Sequence, residues 1–95
     1  MKSCHLSEIR SPAQFYDEVA HQLDFPAHFG RNLDALWDVL ANDIEGPLEI
    51  VWHDPALSQA AMGDDYAKLV ALLEEVAEER GDVTLKLLPS GKQKR

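Results

Sequence analysis

Two aspartates that could do chemistry, Asp34 and Asp38, stand four residues apart in a stretch from Phe25 to Ile44 that is written FPAHFGRNLDALWDVLANDI. On a helix this spacing puts both carboxylates on one stripe, with Asn42 one turn later. Such a pair could transfer protons if burial raised the pKa of one member, or it could bind the cations of a partner. Two like charges at this spacing destabilise a helix by about 0.2–0.5 kcal/mol, so helix stability does not explain them. A plain solvated helix face is the alternative.

The helix that would carry these carboxylates is predicted to begin at Leu33. Its apolar positions follow the i, i+3, i+4, i+7 spacing of one buried face, and they are Leu33, Leu36, Trp37, Leu40 and Ile44. Asn32 stands where an N-cap accepts the first free backbone N–H, and Gly30 can take backbone angles closed to other residues. A turn, a cap and a large aromatic residue beside two carboxylates favour a protein-binding patch.

The charge of the chain favours a basic protein partner. The net charge is −8, and because residues 90–95 carry three positive charges, the remainder of the chain has a net charge of −11. Phosphate binding needs Lys and Arg, so nucleic acid and anionic membranes are poor partners. A basic protein would be attracted over about 8 Å at physiological salt. Solubility alone is the alternative explanation of this charge.

Several functional classes have no support in the residues. The glycines form no phosphate-binding motif and the four histidines lack the spacing of a zinc site, so we predict no cofactor and no metal. His53 and Asp54 are a poor catalytic pair, because adjacent residues seldom face each other, and we predict that the chain is not an enzyme. A single cysteine, Cys4, and the lack of a signal peptide or membrane span predict a cytoplasmic protein. We further expect the free chain to be monomeric.

The order of the predicted elements indicates an α/β fold. Strands are expected at about 1–6, 48–52 and 83–88, and helices at about 12–24, 33–44, 55–62 and 64–80. Because helical crossovers join parallel strands, we predict a small three-stranded parallel sheet packed with about four helices. Residues 1–89 would form the single domain, and residues 90–95 would be a flexible basic tail.

The stretch FPAHFGRNLDALWDVL, followed by PLEIVW, closely resembles the barstar family of intracellular ribonuclease inhibitors, and the order of elements agrees to Leu88. The resemblance implies a small parallel-sheet protein that blocks the active site of a basic ribonuclease or nuclease toxin and protects the cell. Asp38 would enter the phosphate-binding pocket of the nuclease, beside Asp34. A glutamate of the last helix would also contribute, Glu75 or, as the alternative, Glu74. The partner-binding residues implied in this way are His28, Phe29, Gly30, Asn32, Leu33, Asp34, Trp37, Asp38, Asn42, Ile44 and Glu75.

Two departures from the family pattern concern the identity of the partner. The family's inhibitors commonly carry an aromatic pair before the glycine, and here His28 takes the first place of that pair. A second aromatic residue, expected just after the helix, is missing from residues 42–44. These departures motivate a second hypothesis, a barstar-fold adaptor for another basic protein. A third hypothesis, which rests on the carboxylate pair alone, is an acid/base enzyme that uses Asp34 and Asp38.

Overall fold

Three strands and four α-helices make up residues 2–89, the part of the chain that the computed structural model describes. The strands are β1 (Lys2–Leu6), β2 (Leu48–His53) and β3 (Val83–Leu88). The helices are α1 (Pro12–Gln22), α2 (Leu33–Asp38), α3 (Pro55–Met62) and α4 (Asp64–Arg80), and α2 continues as a π-helical stretch that we call the π-segment (Val39–Asp43). Met1 and the predicted basic tail at residues 90–95 lie outside the described residues.

The sheet is parallel throughout, in the order β1-β2-β3, and this confirms the predicted α/β fold. The register aligns Cys4 with Ile50 and Ile50 with Leu85, and these side chains pack into the core beneath the helices. Side chains alternate along a strand, so the neighbouring positions lie on the opposite face. That face carries the ion pair between Lys86 Nζ and Glu49 Oε2, 2.7 Å apart. The sheet is therefore apolar on one face and largely polar on the other.

The core is centred on Trp52 of β2, which is fully buried. Its ring stacks on Phe15 of α1 and meets Tyr66 of α4 edge-on, both at a centroid distance of 5.3 Å. The indole Nε1 donates a hydrogen bond of 2.9 Å to Ser58 Oγ of α3, which is also fully buried. A buried polar group needs such a partner, so this bond allows an indole at the centre. Trp52 thus joins the sheet to three helices.

Local signals set most of the helix boundaries. Ser11 Oγ accepts a hydrogen bond of 3.1 Å from the Gln14 backbone N–H, and Pro12 occupies the first turn of α1. Gly81 ends α4 in the left-handed conformation, at φ 81°. The helices predicted at 55–62 and 64–80 are confirmed with these bounds. Within residues 2–89, no helix has the length and apolar character needed to cross a bilayer.

The second helix differs from the continuous α-helix predicted at 33–44. It is α-helical to Asp38 and then widens into the π-segment, where each turn holds more residues. The later side chains are therefore rotated away from the α-helical pattern. Val39, outside the predicted apolar face, is buried, whereas Leu33 and Trp37, predicted to be buried, are only half-buried. Part of the Trp37 ring therefore lies at the surface.

Candidate functional site

The loop before α2 is fixed by a cap and by close packing. Asn32 Oδ1 accepts a hydrogen bond of 2.8 Å from the Ala35 backbone N–H, which confirms the predicted N-cap. Gly30 does not use the positive φ that glycine allows, and the left-handed residue of this loop is Arg31, at φ 58°. Space favours glycine instead, since a Cβ at Gly30 would lie 3.2 Å from Asn32 Nδ2 and 3.3 Å from Ala35 Cβ. Arg31 forms an ion pair with Asp17 that ties the loop to α1.

The two aspartates lie on the outer side of α2, as their spacing predicts; we call α2 and its π-segment together the contact helix. Asp34 and Asp38 are both exposed. Asn42, in the π-segment, donates a hydrogen bond of 3.0 Å from Nδ2 to Asp38 Oδ1. The sequence predicts Asn42 as a contact to the partner, and in the free protein its amide holds the Asp38 carboxylate. Asp38 is thus restrained before any partner arrives.

A groove between α2 and α4 brings together predicted site residues from both helices. It is lined by Leu33, Asp34, Trp37, Lys68, Ala71, Leu72 and Glu75, and we call it the α2–α4 groove. Trp37 is half-buried there, so part of its indole remains open to a partner. Of the two alternatives on α4, Glu75 lines this groove and Glu74 does not. Glu74 lies near Tyr66, whose pKa is raised by the burial of its own hydroxyl and, to a lesser extent, by the negative charge of Glu74.

Lys68 is a groove residue that the sequence analysis missed. It is exposed, and it lines both the α2–α4 groove and a second groove that continues past Asp34 to Asp65 and Tyr16. The signal for it is present in the sequence, because Lys68 and Glu75 are seven residues apart and so share a face of α4. The α2–α4 groove therefore holds the cation of Lys68 beside the carboxylates of Asp34 and Glu75.

The aromatic positions before Gly30 differ in exposure. Phe29 is half-buried and packs edge-on against Phe25 and Tyr16, at centroid distances of 4.9 and 5.9 Å. His28 is exposed. Phe29 can therefore support the loop from below, while the imidazole of His28 is free to meet a partner.

The far end of the contact helix is held in the core. Ile44 is 7% exposed, so it offers little of its side chain to a partner and supports the surface instead. Its carbonyl and that of Leu40 both accept hydrogen bonds from Arg80 Nη1, of 2.7 and 2.9 Å. The exposed side chains at this end are Asn42 and Asp43. The surface therefore ends on polar groups.

This arrangement suits the binding of cations. Asp34, Asp38 and Glu75 are exposed carboxylates on helices whose other faces are packed in the core. Carboxylates held in this way can accept charge-assisted hydrogen bonds from Arg and Lys, and the face of Trp37 can stack on a guanidinium. Within residues 2–89, no three His, Cys, Asp or Glu side chains are placed to hold a metal ion. These exposed carboxylates and the Trp37 ring could therefore accept cationic side chains.

Two comparisons with known proteins found similar sequences. A family model described as Barstar (barnase inhibitor) matches residues 1–88, which include every strand and helix of the structure. The chain is also similar to a protein of Bacillus subtilis (strain 168) named "Putative ribonuclease inhibitor YrdF". The identity is 36% over 67 residues, which cover 70% of this chain and 74% of that protein.

Proposed function

The chain belongs to the barstar family, and we propose that it inhibits a basic ribonuclease or related nuclease toxin inside the cell that makes the enzyme. Proteins of this family are ribonuclease inhibitors rather than enzymes. The observation that carries the proposal is the meeting of Asp34 and Glu75 beside the half-exposed Trp37, with Asp38 held by Asn42. We expect the inhibitor to act as a monomer in the cytoplasm.

The proposed mechanism is a charge match between the inhibitor and the enzyme. A ribonuclease binds the phosphates of RNA with cationic side chains, so carboxylates on a rigid helix can occupy the same positions. Asp38 would be the central carboxylate, with Asp34 and Glu75 beside it. Because the core fixes both helices before binding, little ordering remains to oppose association. The net charge of −8 would also speed the encounter with a basic enzyme at low salt.

The remaining predicted residues would frame this centre. Gly30 and Asn32 would shape the loop, Leu33 and Trp37 would supply apolar contact in the groove, and His28 would contact the enzyme at the rim. Phe29 and Ile44, which are largely packed inward, would support the surface from below.

The test compares Asp38→Asn with Glu79→Gln as a matched control. Each variant removes one negative charge from an exposed position without changing its size, and Glu79 lies outside the α2–α4 groove. Breaking a buried, hydrogen-bonded ion pair at an interface generally costs about 2–5 kcal/mol, a range that draws in part on barnase and barstar themselves. We therefore expect Asp38→Asn to weaken inhibition at least about 30-fold and Glu79→Gln less than about threefold.

The assay is cleavage of a fluorogenic RNA by barnase and by basic ribonucleases of the same cell, with inhibitor titrated in. Equal loss of inhibition in the two variants would mean that only the total charge matters. The absence of inhibition by the unchanged protein, for every enzyme tried, would refute the proposed function.

A barstar-fold adaptor is the second candidate, and the exposed His28 is the observation that favours it. Affinity capture from the native cell distinguishes the two, with the Asp38→Asn variant as the control bait. Capture of a nuclease that the variant fails to retain supports inhibition. Capture of a basic protein without nuclease activity, lost with the same variant, supports the adaptor.

A further inference from the structure

Arg80, the last residue of α4, reaches back to the contact helix. Its side chain is 14% exposed, although its position at the end of an acidic helix would suit a solvated counter-charge. Nη1 donates hydrogen bonds of 2.9 Å to the carbonyl of Leu40 and 2.7 Å to that of Ile44. The last carbonyls of a helical segment lack partners within the segment, and here one guanidinium nitrogen satisfies the carbonyl of Leu40 in the π-segment and that of Ile44 just after it.

The other edge of the same guanidinium is held by Asp82. The distances from Nε to Oδ1 and from Nη2 to Oδ2 are both 2.9 Å, which is the two-pronged pairing of an arginine with a carboxylate. Gly46 packs against this pair so closely that a Cβ there would collide with the Asp82 carboxylate. The five donors of a planar guanidinium can serve two carbonyls and both carboxylate oxygens at once, whereas the three donors of a lysine ammonium are too few for all four contacts.

The proposed inhibitory surface comes from two separate elements, so their relative position matters. The contact helix carries Asp38 and Asn42, and α4 carries Glu75. Among residues 2–89, the side-chain hydrogen bonds between α4 and the end of the π-segment all come from Arg80. We propose that Arg80 is a positioning residue for inhibition, which holds the Asp38–Asn42 end of the surface in register with Glu75. This inference rests on the proposed function.

The first experiment needs no partner. Amide hydrogen exchange is measured by NMR in the free protein, in its Arg80→Gln and Arg80→Lys variants, and in Asp82→Asn, which keeps the guanidinium. We expect exchange at Asp43 and its neighbours to quicken about tenfold in both Arg80 variants, and less in Asp82→Asn, while the middle of β2 changes only with global stability. Restoration of slow exchange by lysine would show that only the charge matters and would overturn the inference.

The second experiment separates positioning from stability. Ser58→Ala is the matched control, because it removes a buried hydrogen bond to Trp52 in α3, on an element outside the contact surface. The dissociation rate of the ribonuclease complex and the unfolding free energy are measured for both variants. We expect Arg80→Gln to raise the dissociation rate about tenfold and Ser58→Ala to leave it unchanged at a similar loss of stability. Dissociation rates that follow the loss of stability in both variants would overturn the inference.

A double-mutant cycle shows which group Arg80 acts through. If Arg80 places Asp38, then Arg80→Gln should weaken binding much less when Asp38→Asn is already present. Full additivity contradicts the inference while leaving the proposed function intact. If the wild-type chain binds no ribonuclease, the proposed function itself is refuted. The exchange experiment then shows only whether Arg80 fixes the π-segment.

Discussion

Replacing Asn42 by alanine tests whether the restraint on Asp38 strengthens binding. The hydrogen bond from Asn42 Nδ2 to Asp38 Oδ1 is 3.0 Å long and joins two exposed side chains. An exposed bond of this kind contributes little to folding, so we expect the unfolding free energy to change by less than about 0.5 kcal/mol. The effect should appear in binding, where the Asp38 carboxylate has to be fixed in one orientation.

The magnitude follows from the cost of fixing one side chain. Immobilising a flexible side chain at an interface costs about 0.5–1.5 kcal/mol. Because Asn42 already restrains the Asp38 side chain in the free protein, part of this cost no longer opposes binding. Its removal should therefore raise the Kd for the ribonuclease by a factor of about 2–12. Trp37 provides the signal, because it is half-exposed in the α2–α4 groove whereas Trp52 is fully buried. Within the inhibitor, a change of indole emission on binding then reports mainly on Trp37.

The refuting result comes from repeating Asn42→Ala in an Asp38→Ala background. If Asn42 acts by restraining Asp38, its removal should then change the Kd by less than about 1.5-fold. The same loss of affinity in both backgrounds would mean that Asn42 contacts the enzyme directly, as the sequence predicts, and that the hydrogen bond to Asp38 contributes nothing to binding.

Three further predictions concern stability and reactivity. Ser58→Ala leaves the Trp52 indole N–H buried without an acceptor, so urea denaturation should show a loss of about 1–3 kcal/mol, and a loss below 0.5 kcal/mol contradicts the role of this bond. Burial, and then the charge of Glu18, raise the pKa of the Cys4 thiol from an ordinary 9.0 to about 12. A thiol reagent at pH 8 should therefore modify only the unfolded protein. Because the thiol ionises at lower pH in the unfolded chain than in the folded one, the unfolding free energy should fall as the pH rises from 9 toward 12. The Cys4→Ala variant should show a smaller fall. Gly30→Ala crowds the Asn32 cap and should cost about 0.5–2 kcal/mol, whereas an unchanged melting curve would show that the loop relaxes freely.

The sequence by itself determined the element order and most element boundaries, because the signals for them are local. Ser11 followed by Pro12, Asn32 before an apolar run, and Pro55 each act on the backbone within a few residues. The spacing of Asp34 and Asp38 likewise fixed their common exposed face. The parallel sheet followed from helices between short strands.

Only the tertiary structure decided how the surface is assembled from distant parts of the chain. Periodicity assumes a uniform α-helix, so it could not show that the helix widens into the π-segment, that Val39 is buried, or that Trp37 is half-exposed. The sequence around Arg80 does not show which groups its side chain contacts, because its two carbonyl partners are 36 and 40 residues away. The groove that joins α2 to Glu75 likewise exists only once the helices pack together. Contacts across such separations depend on the packing of the whole core, which no local pattern encodes.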